Sequence, residues 1–373
     1  MKAVLRAGAA ALGALALVGT DQARAESLAD VMVEALLNSP EIAAQRAQVA
    51  IASESAVQAR AGGRVNITGT VGLDVQIEDS FSNSGAVFPT TLQLTAEQPL
   101  YTGGQVANAT EAAETRVDVQ ETVLTATEQS VLLDAVTAYA DVRRDLALVD
   151  VALNNVEVLQ EQLQAARERF EVGEVTRTDV EQARARVAAS QSNLAASRGQ
   201  LRISREAFTR VVGRPPEELD PLPPMPDLPQ SLEEGVRIAL QTQPNIEASR
   251  LERIASGSDV RAAIGALLPQ LSVQGTISQL DTLEDEFEGN QSAAVGLALT
   301  IPFYRGGANY SGVRQAQAQV EAAEADITSA IRDTIETVGT AWAQLEVARA
   351  SIEAGRLEVR AAELAFEGIT EEA

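Results

Sequence analysis

Apolar and polar residues alternate at period two in four stretches of this chain. Residues 65–77 set Val65, Ile67, Val71, Leu73, Val75 and Ile77 on one face against Asn66, Thr68, Thr70, Asp74 and Gln76 on the other. A second run opposes Leu92, Leu94 and Ala96 to Thr91, Gln93, Thr95 and Glu97. Farther on, Leu271, Val273 and Ile277 alternate with Gln270, Ser272, Gln274 and Thr276, and Val295, Leu297, Leu299 and Ile301 with smaller residues. The pattern predicts four strands. Each runs about 10 to 13 residues, the length that crosses an outer membrane when tilted, although paired strands of a soluble sandwich alternate in the same way. The joining stretches, 78–88 and 283–290, are polar.

Elsewhere the apolar spacing is helical. From Gln105 to Val172 there is neither proline nor glycine, and one helix over that span would extend about 100 Å at 1.5 Å per residue. No compact domain needs such a rod. Its apolar seam runs through Tyr139, Val142, Leu146, Val149, Leu153 and Val156, slips, and resumes at Leu159, Leu163, Ala166 and Phe170. The returning helix repeats Val180, Val187, Leu194, Leu201 and Phe208 every seven residues, with Ala183, Ser190, Ser197 and Ser204 between them. Small residues at that spacing let neighbouring helices approach closely.

The chain is internally duplicated. SLADVMVEALLNSPEI at 27–42 matches SLEEGVRIALQTQPNI at 231–246 without a gap at an offset of 204; both begin at a serine able to cap a helix and stop at proline. ITGTVGL at 67–73 corresponds to VQGTISQ at 273–279, and QPLYTGGQ at 98–105 returns as IPFYRGGA at 301–308. Between the copies, residues 214–230 carry seven of the 13 prolines and are expected to be extended. The expected organisation is a first repeat over 26–213, a Pro-rich linker over 214–230 and a second repeat over 231–373, each ordered short helix, helix, strand, loop, strand, long helix.

Composition narrows the chemistry. Lys2 and Arg6, the apolar run Ala7–Val18 and the small residues of Ala23-Arg24-Ala25 form a secretory signal over 1–25, with the mature chain expected to begin near Glu26. No cysteine follows to accept a lipid. With 53 acidic and 29 basic residues the net charge is −24, which disfavours a nucleic-acid partner. The chain contains no histidine and no cysteine, so thiol chemistry and soft-metal sites are excluded, no cofactor is indicated, and catalysis has no marked acid, base or nucleophile. Asp281, Glu284, Asp285, Glu286 and Glu288 lack the ordered ligand spacing and turn glycine of a calcium loop and read as a solvated loop.

Very long helices joined to membrane-length strands, duplicated behind a signal, resemble the TolC family of outer-membrane channel-tunnels. The resemblance covers nearly the whole mature chain. Its carriers are QPLYTGGQ, IPFYRGGA and RFEVGEVTRTDVEQARARV at 169–187. It implies a mainly α fold with membrane β-strands, in which two tandem repeats, each a long-helix hairpin plus two strands, form a trimeric β-barrel continuous with an α-helical barrel. Four strands cannot close a barrel alone; about eight would fill with side chains, whereas about twelve leave a pore. It also implies an outer-membrane exit duct for efflux or type I secretion that extends into the periplasm. The implied partners are a periplasmic adaptor, an inner-membrane ABC or proton-driven transporter and outer-membrane lipid. A periplasmic coiled-coil adaptor or scaffold without a pore is the alternative.

The resemblance places the barrel-to-helix junctions at Pro99, Tyr101, Gly103 and Gly104 and at Pro302, Tyr304, Gly306 and Gly307, where paired glycines relieve a backbone corner. It places the turn between long helices at Gly173 and Val180, with Asp179 and Thr178 as candidate periplasmic gate residues. Asp179 equally suits the first turn of a helix, and Thr178 stands at capping-box spacing from Glu181. Finally, the helical pattern of AAELAFEGITEEA at the end of the sequence lacks a stop signal, so a second turn and returning helix are expected beyond Ala373.

Overall fold

A computed structural model describes residues 26–74, 76–78, 85–87, 89–282 and 290–372. The signal segment 1–25, most of both polar joining stretches, and Glu284, Asp285, Glu286 and Glu288 lie outside the described residues. In chain order the elements are α1 (Leu28–Asn38), α2 (Pro40–Ala61), β1 (Asn66–Leu73), β2 (Gln76–Glu78), β3 (Gly85–Val87), β4 (Pro89–Tyr101), α3 (Gln105–Glu171), α4 (Arg177–Val212), α5 (Leu232–Thr242), α6 (Pro244–Gly265), β5 (Gln270–Thr282), β6 (Asn290–Thr300) and α7 (Ala308–Glu372). The expected order is therefore present in both repeats. Where one strand was expected over 65–77, β1 ends at Leu73 and Gln76–Glu78 pairs instead with Gly85–Val87 in a separate two-stranded sheet.

Local chemistry explains the boundaries. Ser27 and Ser231 cap α1 and α5, each hydroxyl accepting a bond from a backbone N–H three residues on, of Asp30 and Glu234. Pro40 and Pro244 stop the short helices and also open the next ones, because the first helical position needs no N–H donor and favours proline's fixed φ. Nothing in Gln105–Glu171 interrupts the i to i−4 ladder, and α3 is one helix of 67 residues.

Packing divides the chain into two compact units that cut across the repeats. The first contains the described residues up to Ser39 with Val131–Met225; the second contains Pro40–Ser130 and Pro226–Ala373. α3 passes through both.

In the first unit Val31, Tyr139, Val142, Leu201, Phe208, Val212 and Leu219 form a buried cluster, and the seven-residue seam is realised, with Val187, Leu194, Leu201 and Phe208 all buried along α4. The small positions have a use: Ser204 donates to the buried carboxylate of Asp145 on α3, which also accepts from Arg144 Nε at 2.8 Å. Those hydrogen bonds, Arg144 first, hold Asp145 below the usual carboxylate range against the opposing effect of burial.

The first part of the Pro-rich stretch forms no helix, and it is bound into this core. Glu26 N donates to Glu218 O at 2.7 Å and Asp220 N to Glu26 O at 3.0 Å. The Tyr139 hydroxyl shares its proton between the carbonyls of Glu26 and Asp220, at 2.9 and 2.6 Å. Arg214 forks to Glu34 and Glu26. Prolines prevent this segment from joining a helix, and its free carbonyls become acceptors for α3.

Tyr139→Phe is expected to loosen this strap. Losing the hydroxyl costs about 1 kcal/mol, or about fivefold more local opening, read as faster proteolytic cleavage between residues 214 and 226.

Candidate functional site

The second unit holds an antiparallel sheet in the order β1-β4-β5-β6. Its register sorts side chains by face. Val71 lies opposite Leu92, Leu94 opposite Ile277, Val273 opposite Leu297 and Leu271 opposite Leu299, so the apolar positions of all four strands share one face. That face is bare: Val71 is 72% exposed, Leu297 71% and Val295 84%. The opposite face carries Thr68, Thr70, Gln93, Thr95, Glu97, Gln274, Thr276 and Ser278, with Leu280, Ala294 and Ala298 as apolar departures, while Gln98, Gln279 and Gln291 are polar positions on the apolar face. Glu97 is the only charged residue among the described side chains of these strands, and it accepts from Gln274 Nε2 at 3.4 Å. β1 and β6 each have one neighbour in the sheet, which leaves two open edges among the described residues. No described helix is long and apolar enough to cross a membrane.

The hairpin registers correct one repeat alignment. Asn66 pairs with Glu97, and Gln270 with Thr300. Since Thr300 follows Glu97 by the same offset of 203 as Tyr304 follows Tyr101, Asn66 is equivalent to Gln270, and the strand offset is 204. The alignment of 67–73 with 273–279 is two residues out. A slip of two keeps every side chain on its face, so alternation is blind to it.

Both junctions have the same backbone form. Gly103 and Gly104 have φ of 62° and 81°, Gly306 and Gly307 of 60° and 84°, values that side chains other than glycine adopt only with strain. In each copy the next helix is entered through matching bonds, Asn108 N to Gly104 O and Ser311 N to Gly307 O, both 3.0 Å. The surroundings differ. Pro99 and Tyr101 belong to β4, with a register shift between them where proline offers no N–H, whereas Pro302 and Tyr304 lie beyond the end of β6. A Cβ on Gly103 would sit 2.6 Å from Gly265 O and 2.8 Å from Leu268 Cβ, while one on Gly306 or Gly307 would meet nothing within 4 Å.

Ion pairs overlooked in the sequence tie the first repeat's α3 to the second repeat's α6. Arg116 reaches Glu252 at 3.2 Å and Asp259 at 2.5 Å, and Arg261 reaches Glu111 at 2.8 Å. Sequence spacing could not find them, because the partners lie more than a hundred positions apart.

At the far turn Gly173 has φ of 82° and Glu174 N donates to Arg169 O at 2.9 Å, closing α3 as the turn glycine predicts. The capping box is not Thr178 with Glu181. Thr176 is the N-cap of α4 and Asp179 its partner: Thr176 N and Oγ1 donate to Asp179 Oδ2 at 2.8 and 2.7 Å, and Asp179 N returns a bond of 3.4 Å. Thr178 sits inside the first turn, and Glu181 faces Arg184 at 4.0 Å. Thr176-Arg-Thr-Asp satisfied the same spacing rule, and the backbone chose it because Gly173 ends the preceding helix three residues earlier. Val180 follows on α4, half-buried.

Compared with known proteins, residues 31–214 and 235–370 match the family described as outer membrane efflux protein. The chain belongs to that family. It is similar to the outer membrane efflux protein BepC of Brucella suis biovar 1 (strain 1330), with 34% identity over 373 residues covering 99% of this chain and 80% of the relative. Outer membrane protein TolC of Vibrio cholerae is 23% identical over 323 residues, covering 84% and 73%. Among solved structures, a membrane protein from Pseudomonas aeruginosa has the same fold, with a TM-score of 0.75, 19% identity and coverage of 88% and 76%. As in its relatives, the location of this efflux-family chain is the outer membrane.

The cap at Asp179 has a pH signature. Hydrogen bonds from the Thr176 side chain and then its backbone lower the carboxyl's pKa, so its contribution to α4 is full above the ordinary aspartate range and disappears as pH falls through the depressed folded value. Amide protection factors at Asp179 and Val180 are expected to drop over that acid window, and Asp179→Asn to abolish the drop.

Proposed function

We propose that this chain assembles as a homotrimer whose twelve strands close one barrel in the outer membrane, the exit duct of a tripartite efflux or type I secretion system. The observation that carries the reading is a four-stranded sheet with a bare apolar face and two open edges. In hydrocarbon each unpaired backbone group costs several kcal/mol, so the sheet must continue into further copies until it closes. Three copies leave a lumen, toward which the Thr, Gln and Glu97 face points while the apolar face meets lipid. A pore-free scaffold would leave that apolar face in water without purpose.

Substrates pass without covalent change, the work being done by an inner-membrane ABC or proton-driven transporter joined through a periplasmic adaptor. The family is one of efflux channels rather than enzymes. The turn around Gly173 and Asp179 is the periplasmic entrance in this reading, and Asp179 with Thr178 the candidate gate.

Membrane fractionation followed by native mass spectrometry of the detergent-extracted protein tests the assembly: a trimer from the outer-membrane fraction is expected, and a soluble periplasmic monomer would overturn it. The gate has its own test. Asp179→Ala should raise single-channel conductance in planar bilayers at unchanged trimer yield; unchanged conductance, with only the first turn of α4 loosened, would leave Asp179 a capping residue alone.

A further inference from the structure

A cavity of about 410 Å³ lies on the polar side of the sheet, where β4 and β5 meet the end of α2 and the start of α3. Its walls divide by chemistry. Glu97, Gln105 and Gln274 supply acceptor oxygens, while Pro99, Val106 and Ala109 supply apolar surface. Gln105 is held by Gln270, whose Nε2 donates to Gln105 Oε1 at 3.2 Å. Glu97, half-buried, accepts the 3.4 Å bond from Gln274 and has no arginine partner among the described residues. Acids on the neighbouring helices are held differently: Glu111, Glu114 and Asp259 pair with Arg261, Arg60 and Arg116.

The strand-to-helix corner does not itself require this carboxylate. At the offset of 203 Glu97 and Gln105 become Thr300 and Ala308, and at 204 Gln274 answers to Thr70. The second corner thus keeps the tyrosine and both glycines, with the same backbone form, but neither the carboxylate nor either amide. What the first corner carries in addition is a negative charge beside an apolar wall, in a space of the size that holds small molecules.

We propose that this cavity binds organic cations, with an ammonium-type head at Glu97 and an apolar body against Pro99, Val106 and Ala109. A hydrated inorganic cation gains nothing from an apolar wall, whereas an organic one removes that wall from water. The acceptors at Gln105 and Gln274 suit the donors of a protonated amine. The cavity lies within one chain; its opening into a lumen rests on the assembly reading above, in which three copies set three such sites at the base of the barrel.

Isothermal titration of benzyltrimethylammonium into the full-length, detergent-extracted protein, with native mass spectrometry of the same sample, tests both. Saturable binding at one site per chain is expected, about fivefold tighter than for tetramethylammonium, which lacks the apolar body. Glu97→Gln should weaken it about tenfold, the loss of one charge-assisted contact. Glu97→Gln/Thr95→Glu should stay as weak: Thr95 lies on the same face outside the cavity lining, and the move carries the charge about 7 Å along the strand while leaving the net charge unchanged. No saturable binding, equal affinity for the two probes, no effect of Glu97→Gln, or recovery in the double variant overturns the site, the last by showing that the field alone attracts the cation. Monomers that bind through Glu97 overturn the assembly reading and leave the site standing, and trimers that bind nothing do the reverse.

Discussion

Backbone hydrogen bonding at the sheet edges is the constraint on which the rest depends. Inside the chain β4 and β5 satisfy each other across the repeat boundary, and each hairpin satisfies its inner strand edges. Among the described residues, the outer edges of β1 and β6 have no neighbouring strand, and they lie beside an apolar surface. In water such an edge invites aggregation, and in hydrocarbon it is forbidden. Closure by further copies, as proposed above, would remove both problems at once.

The corner from strand to helix follows from that arrangement. A pleated ribbon and a helix pack at different spacings, so the chain must turn sharply where one becomes the other. Paired glycines in the left-handed region make the turn, and the near identity of their φ angles in the two copies indicates a shared geometric requirement. At the first corner the glycines also permit contact, since Gly265 O occupies the space a side chain on Gly103 would need. Arg116 and Arg261 then fasten α6 along α3 just beyond. These pairs are half-exposed, and their orientation of one repeat against the other matters more than the small stability that solvent-screened pairs contribute.

The long helices face a different problem, that of packing rods with few large side chains. Along α4 the seam of Val187, Leu194, Leu201 and Phe208 is buried, and a serine hydroxyl on the same helix serves a buried carboxylate of α3, as Ser204 serves Asp145. The Glu26–Leu219 strap closes the same region with backbone carbonyls that proline leaves free of any helix.

Much of this was legible in the sequence because it is periodic. Alternation at period two identified the strands and their apolar face, spacing of seven identified the α4 seam, and proline, serine and glycine marked the element ends, since each is a property of residues near one another along the chain. The duplicated Tyr-x-Gly-Gly stretches identified equivalent corners for the same reason. What the tertiary structure alone decided were choices to which these patterns are indifferent. A slip of two preserves alternation, so only the ladder hydrogen bonds revealed that Asn66 answers to Gln270. Thr176 with Asp179 and Thr178 with Glu181 have the same spacing, and the place where α3 ends selected the first. The strap at Leu219, the salt bridges from α3 to α6 and the difference between a crowded Gly103 and an open Gly306 join residues far apart in the chain. Local pattern carries no trace of them, because they arise only when distant segments compete for the same donors, acceptors and space.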